Sequence, residues 1–414
     1  MNTRENKLYF GDNSAEDLCK EFGTPLYVYE EEVIRRQYRE LVGSFGYRPL
    51  RVHYAVKANY NPAILRILKE EGCGADTVSD WEVRLCLECG FPPENIIFTG
   101  DNGSDEEMRY CLEKGVLINA GSLSQLDRLG HMAPGCRVRV RINPDVGAGH
   151  HSHCITGGPN SKFGIYHDQL PAILAIASKY RMRMEGIHSH IGTGILDADK
   201  FMEAMDITLS LAEKVPGLGF VDFGGGLGIP YREGQAPIDL LDFGKRVSAH
   251  FSAFAGRYGS PLELKIEPGR FLVCQAGTLL ARIQALKDTP AHHFAGCDSG
   301  FNHLIRPMAY GSHHRIANAS RMEGPRRATV LGGNICESGD VFTQSAEGFE
   351  DREVSELREG DIVAIMDAGA YGMSMSMQYN LRPRPPEVLI PARGPARLIR
   401  QRESYEDILK NFIP

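Results

Sequence analysis

Between about residues 50 and 270, apolar runs of strand length alternate with segments whose apolar positions recur every three or four residues. The runs at 51–57, 73–78, 95–100, 116–120, 137–143, 184–190, 219–223 and 262–267 are expected to be strands. Eight strands with a helix after each is the pattern that closes a parallel β/α barrel. Ser79-x-x-Glu82, Ser104-x-x-Glu107 and Ser122-x-x-Gln125 each follow a strand at the spacing of a capping box, which marks where helices start. Ile64, Leu65, Ile67 and Leu68 give the first helix its apolar stripe. Beyond Arg270 the rhythm changes. Runs at 271–274, 328–331 and 361–365 are separated by turns bearing Gly, Pro and Asp, the texture of an antiparallel β-barrel or sandwich domain. Leu8-Tyr9-Phe10-Gly11, a short helix and the run at 25–29 suggest that the opening segment joins it. The expected organisation is a (β/α)8 barrel over 25–270 and a β domain built from 1–24 and 271–414.

A chain of 414 residues exceeds what one hydrophobic core usually organises, which agrees with two domains. A hydrophobic content of 42% and a charged content of 24% are ordinary for a globular protein. The net charge of −7 gives no footprint for nucleic acid or an acidic membrane surface. No apolar stretch reaches transmembrane length and Met1–Lys7 carries no signal-peptide pattern, so a cytoplasmic location is expected. Ten cysteines are scattered with no disulfide framework. Cys86 and Cys89 form one CxxC in a helical segment without a second pair, so they read as small buried hydrophobes. His150, His151 and His153 sit in a Gly-rich loop lacking acidic or thiol partners, and no metal centre is expected there.

The reactive residue types gather at the carboxyl ends of the expected strands: Lys57, Asp76, Thr99, Asn119, Arg141, Asn143, His188, His190, Asp222 and Glu267. In a β/α barrel that rim carries the active site. A lysine closing an apolar strand is expected to be poorly hydrated and to lose its proton readily, which suits attack on an aldehyde; a lone lysine there would otherwise read as a snorkelling side chain. Gly224-Gly225-Gly226-Leu227-Gly228 follows the seventh strand and lets backbone N–H groups crowd a phosphate, and Gly269-Arg270 adds a second anion-binding element. Glu267 stands beside that cup, either as partner to a protonated ring nitrogen or as half of an ion pair with Arg270. His188 and His190 share a strand face at period two, suited to stacking on a flat ring or to a satisfied core position. An amine, a phosphate cup, an acid for a ring nitrogen and a stacking imidazole are together what pyridoxal 5′-phosphate (PLP) requires.

The chain resembles the fold-type III PLP-dependent decarboxylases, in their diaminopimelate decarboxylase branch, whose fold is alanine racemase-like. The carriers are Tyr54-Ala55-Val56-Lys57-Ala58-Asn59, Ser161-Lys162-Phe163-Gly164, His188-Ser189-His190-Ile191-Gly192, Gly224-Gly225-Gly226 and Glu267-Pro268-Gly269-Arg270. Arg306-Pro307, Cys336-Glu337-Ser338-Gly339-Asp340, Gly369-Ala370-Tyr371 and the run from Arg382 to Leu389 carry it through the second domain. The resemblance implies that Lys57 joins the cofactor covalently, His190 stacks on its ring and Glu267 faces the ring nitrogen. It implies that Gly226, Gly269 and Tyr371 hold the phosphate, with Arg270, Arg306 and Tyr310 gripping an amino-acid substrate's distal carboxylate. Cys336 as proton donor and Glu337 as partner of the distal ammonium would reach into a neighbouring subunit's site, so a homodimer is implied.

The implied reaction is decarboxylation of meso-2,6-diaminopimelate to L-lysine. Met377-Gln378-Tyr379-Asn380-Leu381-Arg382 departs from the family's Ser-Asn-Tyr-Asn-Ser-Arg-like run. That departure keeps open a relative acting on an amino-acid moiety of a siderophore precursor or a carrier-bound substrate. Racemisation on the same scaffold is opposed by the Cys336-Glu337 motif, and a vestigial binding protein by the presence of Lys57, Glu267 and Cys336.

Overall fold

The computed structural model describes residues 1–145, 148–149, 157–190 and 192–413; the histidine loop at 150–153 lies outside these residues. The chain forms two compact units, one made of 35–229 with 236–272, the other of 1–34, 230–235 and 273–414. The expected boundary at 25 therefore moves. Leu26–Glu30 is a strand of the second unit, because its Leu-Tyr-Val-Tyr run is buried between two strands of that unit's sheet.

In the first unit, eight parallel strands close on themselves: β1 (Leu50–Ala55), β2 (Gly74–Thr77), β3 (Ile96–Phe98), β4 (Leu117–Ala120), β5 (Arg137–Asn143), β6 (Arg183–Ser189), β7 (Phe220–Asp222) and β8 (Glu263–Ile266). Pairing proceeds in chain order from β1 to β8, and β8 returns to β1 through Leu264 opposite Leu50. Each strand overlaps its expected run. Strand β1 ends early, and Val56–Ala58 forms a single 3-10 turn. The turn is followed by an Asx cap: Asn61 accepts the Ala63 amide at 3.0 Å, and Pro62 opens the helix Pro62–Glu70. That helix buries Ile64, Leu65, Ile67 and Leu68, the stripe read from the sequence.

Ser79, Ser104 and Ser122 each cap a helix by accepting the N3 amide at 3.1–3.2 Å, each worth about 1 kcal/mol. Only Ser104 with Glu107 completes the reciprocal box. Glu82 and Gln125 instead reach back one residue further, to the amides of Val78 and Gly121.

Strand β5 sorts its side chains by period two. Val138, Val140 and Ile142 are buried against the helical layer, while Arg139 and Arg141 point across the barrel to partners on other strands.

The second unit is built around a twelve-residue strand, Gly277–Asp288. Its first half pairs antiparallel with Leu26–Glu30 and with Ile362–Ile365, and its second half with His293–Cys297. The sheet is mixed rather than purely antiparallel: Glu387–Ile390 lies parallel to Leu26–Glu30, and Phe294–Gly296 parallel to Val330–Gly332. Long connections join these partners, so no hairpin imposes the antiparallel sense. Leu8, Phe10, Leu18, Leu26, Val28, Leu280, Ile362 and Val388 form its core. The apolar run at 271–274, expected as a strand, folds as a helical turn, Arg270–Val273, after Pro268-Gly269; the strand begins only at Gly277. Among the described residues no helix is long and apolar enough to cross a membrane.

Candidate active site

Lys57 stands in the 3-10 turn just beyond β1 and its side chain is exposed. The expectation of a poorly hydrated ammonium is corrected here, because the strand stops two residues before it and delivers it to an open mouth. Its charge is felt by its neighbours: it draws the carboxyls of Asp76, Glu82 and Asp101 down against the burial that raises them. Asp76, buried and then further opposed by the Glu267 charge, is pushed up to about 7, and accepts a 2.9 Å hydrogen bond from Thr99.

At the centre of the barrel is a residue that the strand-end survey passed over. Arg139, with no solvent exposure, donates to Asp222 and to the Thr99 hydroxyl at 2.9 Å, and lies 2.9 Å from Glu267 Oε1. A cation buried this fully is tolerated only when paired on several sides. His188 Nε2 is 3.1 Å from the other Glu267 oxygen, near enough for charge pairing though not aligned as a hydrogen bond, and its Nδ1 meets the Asn119 amide at 3.0 Å.

Burial acts to raise the Glu267 carboxyl, yet His188 and Arg139 hold it well below the usual carboxylate range. Because burial pushes His188 itself down to about 4, the charge that keeps Glu267 ionised at neutral pH comes from Arg139. His188, Asp222 and Glu267 offer three ligand atoms within 4.8 Å of one another, but the Arg139 guanidinium already pairs with both carboxylates, so the trio reads as an ion-pair network rather than a metal centre.

The glycine run packs against the end of β8 and the segment after β6. A Cβ on Gly225 would lie 2.2 Å from the Glu267 carbonyl oxygen, one on Gly226 2.7 Å from the Gly192 carbonyl, and one on Gly228 2.8 Å from the Gly194 backbone. Gly226 also takes φ of +110°, which only glycine adopts without strain. The Gly225 N–H donates to His190 Nδ1 at 3.1 Å, which fixes the ring and places any ring proton on Nε2. Burial, with Arg141 and Lys57 adding to it, drives His190 well below its ordinary value, so it is neutral. Gly269 immediately precedes Arg270, which is buried with its guanidinium 3.4–3.5 Å from the Thr193 hydroxyl. Arg141 is held by Asp101 at 2.9 Å over the Phe163 ring. Asn143 serves structure, bracketing Gly158 through its carboxamide.

The β unit carries the remaining expected residues. Arg306 is buried within 5.7–6.0 Å of the ring centres of Tyr231, Tyr310 and Tyr371, and donates to Ser312 at 3.0 Å. Tyr371 holds φ of +57°, a left-handed conformation of the kind that collects at working sites. Tyr231 was not foreseen; its hydroxyl meets Cys274 Sγ at 3.1 Å. Cys336 and Glu337 lie on an exposed loop, where the Cys336 amide donates to Asn380 at 2.7 Å.

A closed barrel whose mouth combines a lysine, a glycine cradle and a buried carboxylate held anionic defines a pyridoxal-dependent enzyme. In agreement, residues 31–274 match the family described as "Pyridoxal-dependent decarboxylase, pyridoxal binding domain". The chain is 45% identical to the diaminopimelate decarboxylase of Methanothermobacter thermautotrophicus, over 97% of this chain and 95% of that protein. With the enzyme of Escherichia coli K12 it shares 39% identity over 96% of each. A crystal structure of diaminopimelate decarboxylase from M. jannaschii in complex with L-lysine superposes with a TM-score of 0.90 at 33% identity, covering 99% of this chain and 97% of that one. The chain belongs to the diaminopimelate decarboxylase family.

The residues present fit the family's cofactor. The glycine run packs this closely on the Glu267, Gly192 and Gly194 backbone only because it lacks Cβ atoms, and Glu267 offers a permanent anion to a ring nitrogen.

Proposed function

We propose that this protein is a PLP-dependent decarboxylase that removes one carboxylate of meso-2,6-diaminopimelate as CO2 and leaves L-lysine. One observation carries the reading: Glu267, kept anionic by Arg139, backs directly onto the glycine cradle, in a chain related along its whole length to diaminopimelate decarboxylases. Bound PLP supplies an aldehyde for the substrate amine and an electron-poor ring for the electron pair that CO2 leaves behind.

The chain's own residues do the rest. Lys57 would hold the cofactor through its amine, the group suited to an aldehyde. Gly226, Gly269 and Tyr371 would hold the phosphate, neutral His190 would offer its ring for stacking, and anionic Glu267 would favour a protonated ring nitrogen. Arg270, Arg306 and Tyr310 grip the distal carboxylate, and Glu337 the distal ammonium. Cys336 gives its thiol proton to the carbon that lost CO2 and regains one from solvent.

The protein acts in the cytoplasm as a homodimer in which Cys336 and Glu337 serve the other subunit's site. Purified protein supplied with PLP should release CO2 from meso-diaminopimelate and form lysine in equal amount; no CO2 from this substrate, in a panel that includes larger conjugates, refutes the assignment. Mixing inactive Lys57→Ala with the much slower Cys336→Ala protein should raise activity to roughly a quarter of the parent's, as random exchange in a two-site dimer gives. No recovery after verified subunit exchange would place both residues in one subunit's site.

A further inference from the structure

The loop bearing Cys336 is braced at its base. The buried Asp340 carboxylate accepts the Phe301 amide at 2.6 Å and the Ile335 amide at 2.7 Å. The Gln344 side chain donates to the Gly339 carbonyl at 2.8 Å, and at Cys336 itself the amide meets the Asn380 side chain at 2.7 Å. A backbone N–H only donates, so the Asn380 atom facing it is the carboxamide oxygen.

Asn380 is itself held. Tyr379 stacks on Phe301 with ring centres 5.6 Å apart. The segment is stapled on both sides by one carboxylate, because Glu403 accepts from Gln378 Nε2 at 3.1 Å and from Arg384 Nε at 2.6 Å. Asn380 and Leu381 both sit in the left-handed region, at φ of +57° and +58°. Asparagine takes that conformation readily, whereas leucine pays about 1 kcal/mol for it. Leu381 is 52% exposed, so no burial of its side chain explains the strain. The two residues are bent to bring the Asn380 carboxamide to the Cys336 amide.

We propose that Asn380 is the positioning residue that sets the reach of Cys336, fixing where the thiol stands when it protonates the carbon that lost CO2. The inference rests on Cys336 being the proton donor, and the test separates the two. The PLP-loaded enzyme turns over meso-diaminopimelate in D2O, and NMR reads the configuration of deuterium at the lysine carbon that carried the lost carboxylate.

The parent enzyme should give a single configuration and Cys336→Ala a mixture. Asn380→Gly keeps the left-handed backbone without strain and removes the carboxamide that accepts from Cys336. It should lower kcat about tenfold or more, part of what a general acid supplies, with little change in KM and a mixed label. Asn380→Asp retains the acceptor oxygen and should restore the single configuration.

A single configuration and parent kcat in Asn380→Gly, alongside a mixture in Cys336→Ala, overturns the positioning role alone. A single configuration in Cys336→Ala overturns the donor assignment and the inference with it. Should the glycine variant not fold, a mixed label from Asn380→Asp suffices to reject the proposal.

Discussion

The interior of the barrel and the core of the β unit are both dry, yet they are made of opposite materials. Around the barrel axis stand Arg139, Asp222, Glu267, Asp76, His188, Asn119 and Thr99, every one buried. The β unit's core is Leu8, Phe10, Leu26, Val28, Leu280, Ile362 and Val388, with no charge among them. Apolar burial stabilises by roughly 1.5–3 kcal/mol per large side chain, whereas buried charge at best breaks even when fully paired. The barrel's stability therefore comes from the outward side of its strands, from residues such as Val140 and Ile142, and its inward side is left for chemistry. The β unit makes no such division at its core.

This contrast predicts that activity and stability separate by region. Lys57→Ala should have the largest effect, lowering kcat by about 10³-fold or more with a melting temperature close to the parent's. Borohydride trapping with peptide mapping should tag position 57 in the parent and nowhere in the variant. Glu267→Gln should cost about 10²-fold in kcat, together with a change in the cofactor's absorbance as its ring nitrogen loses its anion. A retained spectrum and rate would mean that the buried network is structural only.

Leu280→Ala tests the other region. It should remove about 2–5 kcal/mol of stability in denaturant titration while kcat per folded molecule stays as in the parent.

The smallest effect concerns pH. The folded-state pKa of Asp76 is raised to about 7, so the folded chain keeps a proton that the unfolded chain has already released. Its contribution to stability is therefore lost progressively as pH rises from the ordinary carboxylate range to about 7, and is level above that. Asp76→Asn, which can still accept from Thr99, should gain stability relative to the parent as pH rises from about 4 to about 7, with no further gain above that. A gap independent of pH would show that Asp76 is ionised in the folded state.

The eight barrel strands were legible because each is a short apolar run ending in a polar residue, and the helices because serine caps sit in phase with them. The rim residues were legible for the same reason: a strand end can be counted along a sequence. Arg139 was not, since it lies four residues before the end of β5, and only the alternation Arg137-Val138-Arg139-Val140-Arg141 signals that it shares an inward face with Arg141. The hydration of Lys57 was misjudged because the turn that lifts it out of β1 depends on where the strand stops. Tyr231 and Asn380 left no local signal. Their roles come from contacts with Arg306 and Cys336, 75 and 44 positions away, which only folding creates. The parallel pairing in the β unit was hidden likewise, because nothing local encodes the sense of strands so far apart.

Leu26–Glu30 carries a consequence for how the chain is made. Its neighbours are Gly277–Leu280 and Glu387–Ile390, which leave the ribosome some 250 and 360 residues later. At usual translation speeds that is a delay of roughly ten to seventy seconds. Until Gly277–Leu280 emerges the nascent Leu-Tyr-Val-Tyr segment has neither sheet partner, and every barrel strand is made before then. Newborn chains should accordingly lean on chaperones through their amino-terminal thirty residues.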